Sequence, residues 1–257
     1  MLKISTICSV LNSQKKINIL LNSFKNQDYK NKELIIVDGG SSDNTINLIN
    51  KKKNKQIKVL VKKKSTIYEA INHGIKKSSG QVINIMGDND FFANRKIFNL
   101  INKKFTKDIS YIYGDTEYVN LNKRLIRYYS SKNFTKKKVK FGFMPSHTSL
   151  FIKKKIFNKL GYYSTQYFYA SDFDFFYRLL DKKNLKKIYL PSTLTKMTTG
   201  GVSNSSIKNI LLSNYEVYKI LKINKVTFPI FRIFYKLSTK IIKLNIFFIK
   251  RFFYEKK

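Results

Sequence analysis

The sequence predicts an α/β fold: a doubly wound, mostly parallel sheet flanked by helices, with a helical tail at the carboxyl end. Two observations carry that prediction. Short apolar runs of strand length alternate with segments whose apolar residues recur at helical spacing, an order that implies right-handed crossovers between parallel strands. No internal repeat and no Pro-, Gly- or Ser-rich linker breaks the alternation, so one domain accounts for most of the 257 residues.

Ile4 to Leu11 reads as a short buried strand, and Ile17, Leu20, Leu21 and Phe24 then recur on one helical face. Glu33 to Val37 forms a second strand that ends at Asp38. Ser42-Asp43-Asn44 can cap a helix running through Ile46, Leu48 and Ile49, with Asp43 as the capping carboxylate and Thr45 in the same turn. Ile57 to Val61 is the third strand, and a helix from about Ile67 to Lys77 leads into the fourth, which begins near Gln81. The second half is less regular. Ile109 to Tyr113 and Ser149 to Ile152 read as strands, Ile156 to Leu160 and Asp172 to Leu180 as helices, and Lys186 to Leu190 as a last strand before Pro191.

Composition narrows the function classes. Hydrophobic residues make up 43%, enough for a folded core, and 51 Lys and Arg stand against 15 Asp and Glu, a formal charge of +36. Such charge attracts polyanions: nucleic acid, anionic lipid or phosphorylated substrates. Nearly all of it is lysine, in a chain rich in Asn, Ile, Phe and Tyr with no Trp, which is the vocabulary of A/T-rich codons. Part of the charge is then codon usage. Cys8 alone excludes an intramolecular disulfide and suits a reducing cytoplasm, and Met1 to Val10 lacks the pattern of a signal peptide.

The fourth strand stops at Gly87-Asp88-Asn89-Asp90, which presents two carboxylates one residue apart. In open α/β sheets ligands collect beyond the carboxyl ends of the strands, and hard cations such as Mg²⁺ or Mn²⁺ take carboxylate oxygens. Asp88 and Asp90 are therefore candidate metal ligands. An Asp-rich turn would read the same way in isolation.

The series of motifs resembles the family 2 glycosyltransferases. Ile4-Ser-Thr-Ile-Cys-Ser-Val-Leu-Asn12, Gln27-x-Tyr29 and Glu33-Leu-Ile-Ile-Val-Asp-Gly-Gly-Ser-Ser-Asp-Asn-Thr45 are similar to that family's opening. Ser65 to Ile75, Gly87 to Asp90, Tyr113-Gly-Asp115, Pro145-Ser-His-Thr-Ser149, Phe157 to Gly161, Ala170-Ser-Asp-Phe-Asp174 and Gly200-Gly-Val-Ser203 follow in the family's order, over about residues 3 to 205.

The resemblance implies a GT-A fold and transfer of a sugar, with inversion, from a nucleotide diphosphate donor to a cell-surface glycan or lipid-linked acceptor. A divalent cation at Asp88 and Asp90, the DxD position, would offset charge on the leaving diphosphate. Asn89 stands where relatives often carry another Asp. Asp172 matches the family's catalytic base; without the resemblance it reads as an N-terminal helix carboxylate, with Asp174 as the alternative base. The donor-binding set implied is Ser9, Asn12, Asp38, Tyr68, Glu69, Asn72, Asp88 and His147. Residues 1–105 would form the nucleotide-binding half, 106–225 the acceptor-side half, and 226–257 a basic amphipathic tail. His73 reads as a solvated helix position, and two distant histidines with one cysteine support no zinc site. Glycine-rich phosphate loops are missing at the strand ends, which argues against a kinase or dehydrogenase.

A nucleic-acid-binding protein or metal-dependent nuclease is the competing reading, drawn from the charge and the 15% aromatic content. Its weakness is that lysine is scattered over every helix and no nucleic-acid-binding motif occurs, so no nucleic-acid partner is expected. The tail from about Thr227 to Tyr254 places Arg232, Lys236, Lys240, Lys243 and Lys250 along one side of a helix, with Ile and Phe filling much of the rest. It is expected to lie in the plane of an anionic membrane, or else to pack on the domain. Uncharged stretches such as Leu244 to Ile249 fall far below the roughly 20 residues a bilayer crossing needs. The expected location is cytoplasmic, peripheral at the inner face of the membrane.

Overall fold

The computed structural model describes residues 1–132, 134–198 and 206–239. In chain order the strands are β1 (Ile4–Val10), β2 (Lys32–Asp38), β3 (Ile57–Val61), β4 (Val82–Ile85), β5 (Phe91–Phe92), β6 (Ile109–Val119), β7 (Leu125–Tyr129), β8 (Leu150–Lys153) and β9 (Lys186–Thr198). The helices are α1 (Ile17–Lys25), α2 (Thr45–Lys51), α3 (Ile67–Lys77), α4 (Ile97–Lys104), α5 (Lys136–Lys140), α6 (Lys155–Leu160), α7 (Ser171–Asp181) and α8 (Ile207–Ile223). Residues 229–239 are also helical.

One sheet holds the strands in the order β3-β2-β1-β4-β8-β6-β9-β5, with β7 paired to β6. β1 to β4 are mutually parallel, as the helices between them require. β8 runs antiparallel to both β4 and β6, and β6 is parallel to β9. That one reversal leaves β6 and β9 pointing the same way as β1 to β4. Their carboxyl ends therefore share an edge, which is where the acidic motifs fall.

The sheet divides the core in two. Ile35 and Val37 of β2 face one cluster with α3, α7 and α8, whereas Leu34 and Ile36 face the other with α1 and α4. This is the period-two alternation of a strand buried on both faces. Helix α3 lies very close to β1 and β2, since a Cβ at Gly74 would come within 2.5 Å of Ile7 Cγ2. Only glycine permits that approach.

The strand at Lys186 does not end before Pro191. It continues to Thr198 because the chain bulges there: Gly114 pairs with Leu190, but Asp115 pairs with Thr193, so Pro191 and Ser192 drop out of the ladder. β5, α4, β7, α5 and α8 were not anticipated from the pattern. Of the proposed tail, 240–257 lies outside the described residues, as does Gly200-Gly-Val-Ser203.

Candidate active site

At the carboxyl edge the loops after β1, β2 and β4 are tied to one another. Asn12, in left-handed backbone at φ 51°, accepts the Ser42 N–H at 2.9 Å and donates its own N–H to Ser41 Oγ. Asp38 is buried and turned onto its own loop, accepting the Gly40 N–H at 2.9 Å, the Ser41 N–H at 3.0 Å and the Ser41 hydroxyl. Ser9, half-buried, is the penultimate residue of β1. Asp43 accepts N–H groups from Thr45 and Gln14 and so holds the start of α2, one position before its N-cap, Asn44.

Asp88 and Asp90 stand on the same edge in unlike surroundings. Asp90 is 3% exposed and folds back over Gly87, whose N–H it accepts at 3.2 Å. A Cβ at Gly87 would meet Asp90 Oδ2 at 2.6 Å, so the glycine makes that bend possible. Burial pushes Asp90 up to about 7; the Gly87 and Thr198 N–H groups oppose this and the charge of Asp88 adds to it. Asp88 is partly exposed and accepts the Ser13 hydroxyl. Ser13 in turn donates its N–H to Thr45 Oγ1 at 2.7 Å, so it joins the β1 loop, the start of α2 and the acidic turn.

Asp172 occupies the first turn of α7 on the other side of the edge. Its Oδ1 accepts the Phe173 N–H at 2.8 Å, its own N–H reaches Tyr68 Oη at 3.4 Å, and His147 Nδ1 lies 3.6 Å from its Oδ2. Burial raises the Asp172 pKa, against the opposing pull of His147, the Phe173 N–H, Tyr68 and Lys236. Burial lowers that of His147, with Asp172 opposing. Burial thus works against the charged form of each partner, and each partner's charge opposes that effect on the other. Asp174 is engaged elsewhere, in a 2.9 Å ion pair with Arg178, which also donates to the carbonyls of Leu160, Gly161 and Tyr162.

Tyr68 stacks on Tyr163 at 5.7 Å between ring centroids, and its hydroxyl donates to the Tyr169 carbonyl. Asn72 clamps the Tyr163 backbone from both sides, donating to its carbonyl at 2.8 Å and accepting its N–H at 3.0 Å. Glu69 forms a capping box with Thr66 at the start of α3. Glu69 and Asn72, with Lys62, His73, Lys76 and Thr165, line a shallow cleft of about 200 Å³. His73 is partly exposed, as expected of a solvated helix position.

Two site residues were missed in the sequence. Tyr118, near the end of β6, has its phenol pKa raised by burial, with Arg127 opposing and the charges of both Asp90 and Asp172 adding. The charges of both acidic groups thus bear on it, although its ring contacts are with Arg127 and Tyr129. Arg127 of β7 covers its ring at 4.3 Å. Nothing local in the sequence marks either residue, because the pairing of β6 with β7 brings Tyr118 opposite Arg127.

A sequence model of the family described as Glycosyl transferase family 2 matches residues 5–187. Among named relatives, the Escherichia coli UDP-Glc:alpha-D-GlcNAc-diphosphoundecaprenol beta-1,3-glucosyltransferase WfaP is 24% identical over 220 residues, covering 81% of this chain and 82% of that one. Among solved structures, S. aureus TarS 1-349 in complex with UDP-GlcNAc superposes with a TM-score of 0.67 at 19% identity, covering 85% of this chain and 64% of that one. The mannosyltransferase PcManGT from Pyrobaculum calidifontis, in complex with GDP-Man and Mn2+, gives 0.63 at 12% identity, covering 85% and 64%. At these identities the structural likeness shows the fold, which is GT-A. The chain is an enzyme and belongs to the family 2 glycosyltransferases.

Proposed function

We propose that this glycosyltransferase moves one sugar, with inversion, from a nucleotide diphosphate sugar to a lipid-linked glycan acceptor. Asp88 and Asp90 would hold a divalent cation, and Asp172 would take the proton of the attacking hydroxyl. The observation that carries this reading is that acidic groups stand on separate elements, Asp88 and Asp90 in the turn after β4 and Asp172 in the first turn of α7 beside His147. Inversion needs the base on the face of the sugar opposite the leaving group, and a carboxylate carried apart from the cation ligands would suit that need.

The donor set fits a hard cation. Among the described residues no cluster of three or more His, Cys, Asp or Glu side chains occurs, and two carboxylates with positions left for phosphate oxygens and water are what Mg²⁺ or Mn²⁺ accepts. When bound, such a cation would offset the charge that develops on the departing diphosphate. Asp88 and Asp90 would bind it, with Ser13 orienting Asp88. Ser9, Asn12 and Asp38 would border the nucleotide. Tyr68 and His147 would lie between donor and base, and Glu69 and Asn72 would act by fixing α3 and the Tyr163 loop. The raised pKa of Asp172 favours proton acceptance, and His147 would orient its carboxylate.

This divides the chain into a donor half over 1–105, an acceptor half over 106–225 and a tail over 226–257. The name of WfaP supports a lipid-linked acceptor, and the TarS and PcManGT complexes support nucleotide-sugar donors and, for PcManGT, Mn²⁺. Among the described residues no helix is long and apolar enough to cross a membrane, which is compatible with a peripheral enzyme at the cytoplasmic face. No finding favours the nucleic-acid reading. A panel of UDP-, GDP- and dTDP-sugars, with and without Mn²⁺, tests the proposal through nucleotide release and thermal stabilisation. Equal turnover with and without the metal, or no response to any donor, would count against it.

A further inference from the structure

Helix α8 is apolar on two sides. Val217, Ile220 and Leu221 are buried against the domain. Ile207, Leu211, Leu212, Tyr215 and Ile223 lie on the other side and are 39% to 79% exposed. Leu211, Tyr215 and Ile223 follow Ile207 at offsets of 4, 8 and 16, so the four spread across the half of the helix that faces away from Val217, Ile220 and Leu221. Lys208, Lys219 and Lys222 share that outer side, Lys219 lying 4.5 Å from the Tyr215 ring centroid. The helical segment 229–239 extends the surface with Ile230, Phe231, Phe234 and Tyr235, which are 52% to 72% exposed. A helix that is apolar all round is normally covered on all sides.

Charge identifies what covers it. Between 206 and 239 the sequence holds a single acidic residue, Glu216. Its carboxylate points inward, accepting the N–H groups of Phe168, Tyr169 and Ala170 at 2.9, 2.7 and 2.8 Å. The outer surface therefore combines aliphatic and aromatic side chains with cations and carries no carboxylate. Across a two-fold interface, the lysines of a second copy would face their like without a counter-charge. An anionic lipid surface supplies both the apolar layer and the counter-charge, and side chains of this kind suit a helix lying in the headgroup plane.

We propose that the outer face of α8, continued by residues 228–235, docks in the plane of an anionic membrane. The surface deepens the reading of a lipid-linked acceptor: residues 228–235 open the tail on which the sequence alone placed membrane contact, whereas α8 lies before it. Its inner side explains why docking would matter. Through Glu216, α8 holds the three residues that lead into α7, and α7 carries Asp172 in its first turn. The base would sit at a fixed height above the lipid.

Flotation of the full chain with phosphatidylglycerol–phosphatidylcholine vesicles, and with phosphatidylcholine alone, tests this. The intact protein should float with the anionic vesicles and lose binding in high salt. The double variant Leu211→Gln, Tyr215→Gln and the charge variant Lys208→Glu, Lys222→Glu should each bind about tenfold or more weakly. Thermal midpoint and donor turnover with a water-soluble acceptor should stay unchanged in both. Variants that float like the intact protein would overturn the proposal and assign binding to residues outside this face. An intact protein that does not float overturns it too. So does a Leu211→Gln, Tyr215→Gln midpoint several degrees lower, which would show that the chain itself covers the face. Light scattering that reports a dimer abolished by the same variant would make the face a self-interface. Vesicle binding that depends on this face, in a protein inactive on lipid-linked acceptors, supports the surface and counts against the acceptor reading instead.

Discussion

Glu33 and Asp90 are both buried carboxylates at opposite edges of one mostly parallel block of strands, β1 to β4, and the fold treats them in opposite ways. Glu33 sits at the amino edge, next to the start of β2. It accepts the Ser5 hydroxyl at 2.5 Å, the Ser79 N–H at 2.6 Å and hydroxyl at 2.9 Å, and the Gly80 N–H at 3.1 Å. Lys3 and Lys58 lie 3.4 and 3.6 Å away. Burial alone would raise its pKa, but the bonds from Ser5 and Ser79, with Lys3, outweigh it and bring Glu33 down to about 2. Asp90, at the carboxyl edge, has two backbone N–H groups and a second carboxylate for company, and is pushed up to about 7. One edge saturates its charge; the other leaves charge uncompensated where a ligand can complete it. Both side chains are closed to solvent, but Asp90 lies deeper and has fewer donors, so depth and partners together separate Glu33 from the proposed cation ligand.

The sharpest way to break this contrast is to remove each charge and ask what is lost. Asp90→Asn should lower donor turnover by about 10³ or more, and chelation of divalent cations should do the same to the intact enzyme. The thermal midpoint should hold or rise, because an under-compensated buried charge has gone. A variant that turned over donor normally, or that unfolded, would place Asp90 with Glu33 among the structural groups.

The mirror experiment is Glu33→Ala. It leaves the Ser5, Ser79 and Gly80 donors facing an uncompensated cavity and should cost about 3 kcal/mol of stability, while turnover per folded molecule is unchanged. The same group sets an acid limit. Its folded pKa of about 2 lies below the ordinary glutamate value of 4.5, so its contribution is complete above 4.5 and is lost as pH falls from there toward 2. Denaturant titrations near neutral pH and at about pH 3 should show the intact protein losing more stability than Glu33→Gln over that window. Equal losses would deny Glu33 its special status.

Between these extremes lies Asp172, whose raised pKa comes from burial but whose neighbours partly compensate it. Asp172→Asn should lower turnover by about 10² while donor affinity stays near normal, because it removes a proton acceptor and leaves the cation ligands in place. Donor affinity from equilibrium titration and turnover from nucleotide release should separate. If both fell together, Asp172 would belong to the donor site.

How much of this was legible in the sequence follows the same division. The first four strands and α1 to α3 could be read directly, because β1, β2 and β4, buried on both faces, are apolar runs and the helices between them repeat apolar residues at helical spacing. Asp88, Asp90 and Asp172 were legible as acidic residues at a strand end and a helix start. The second half resisted because its short or edge elements carry little local pattern. β5 is two phenylalanines paired to β9, and α5 buries only Val139 among lysines. The continuation of β9 past Pro191 depends on a bulge that only its partner β6 defines. The saturation of Glu33 was equally hidden, since Ser5 and Ser79 lie 28 and 46 residues away from it.

The smallest test refines the contrast within the acidic pair itself. Asp88 differs from Asp90 in being partly exposed and in accepting a side-chain donor, the Ser13 hydroxyl, in place of the backbone donors that hold Asp90. A hydroxyl can rotate away, so Asp88 is the carboxylate that would be freer to adjust to the proposed cation. Ser13 also spends its N–H on Thr45 Oγ1, which ties the acidic turn to the loops after β1 and β2. Ser13→Ala keeps that backbone bond and deletes only the hydroxyl. Loss of one hydrogen bond to a charged group predicts about tenfold weaker donor and Mn²⁺ binding, with turnover at saturation nearly unchanged and no shift in thermal midpoint. Titration calorimetry of the intact and variant proteins reads this directly. If Ser13→Ala bound donor as tightly as the intact enzyme, the Ser13–Asp88 bond would be one that breaks on loading, and Asp90 alone would set the position of the cation.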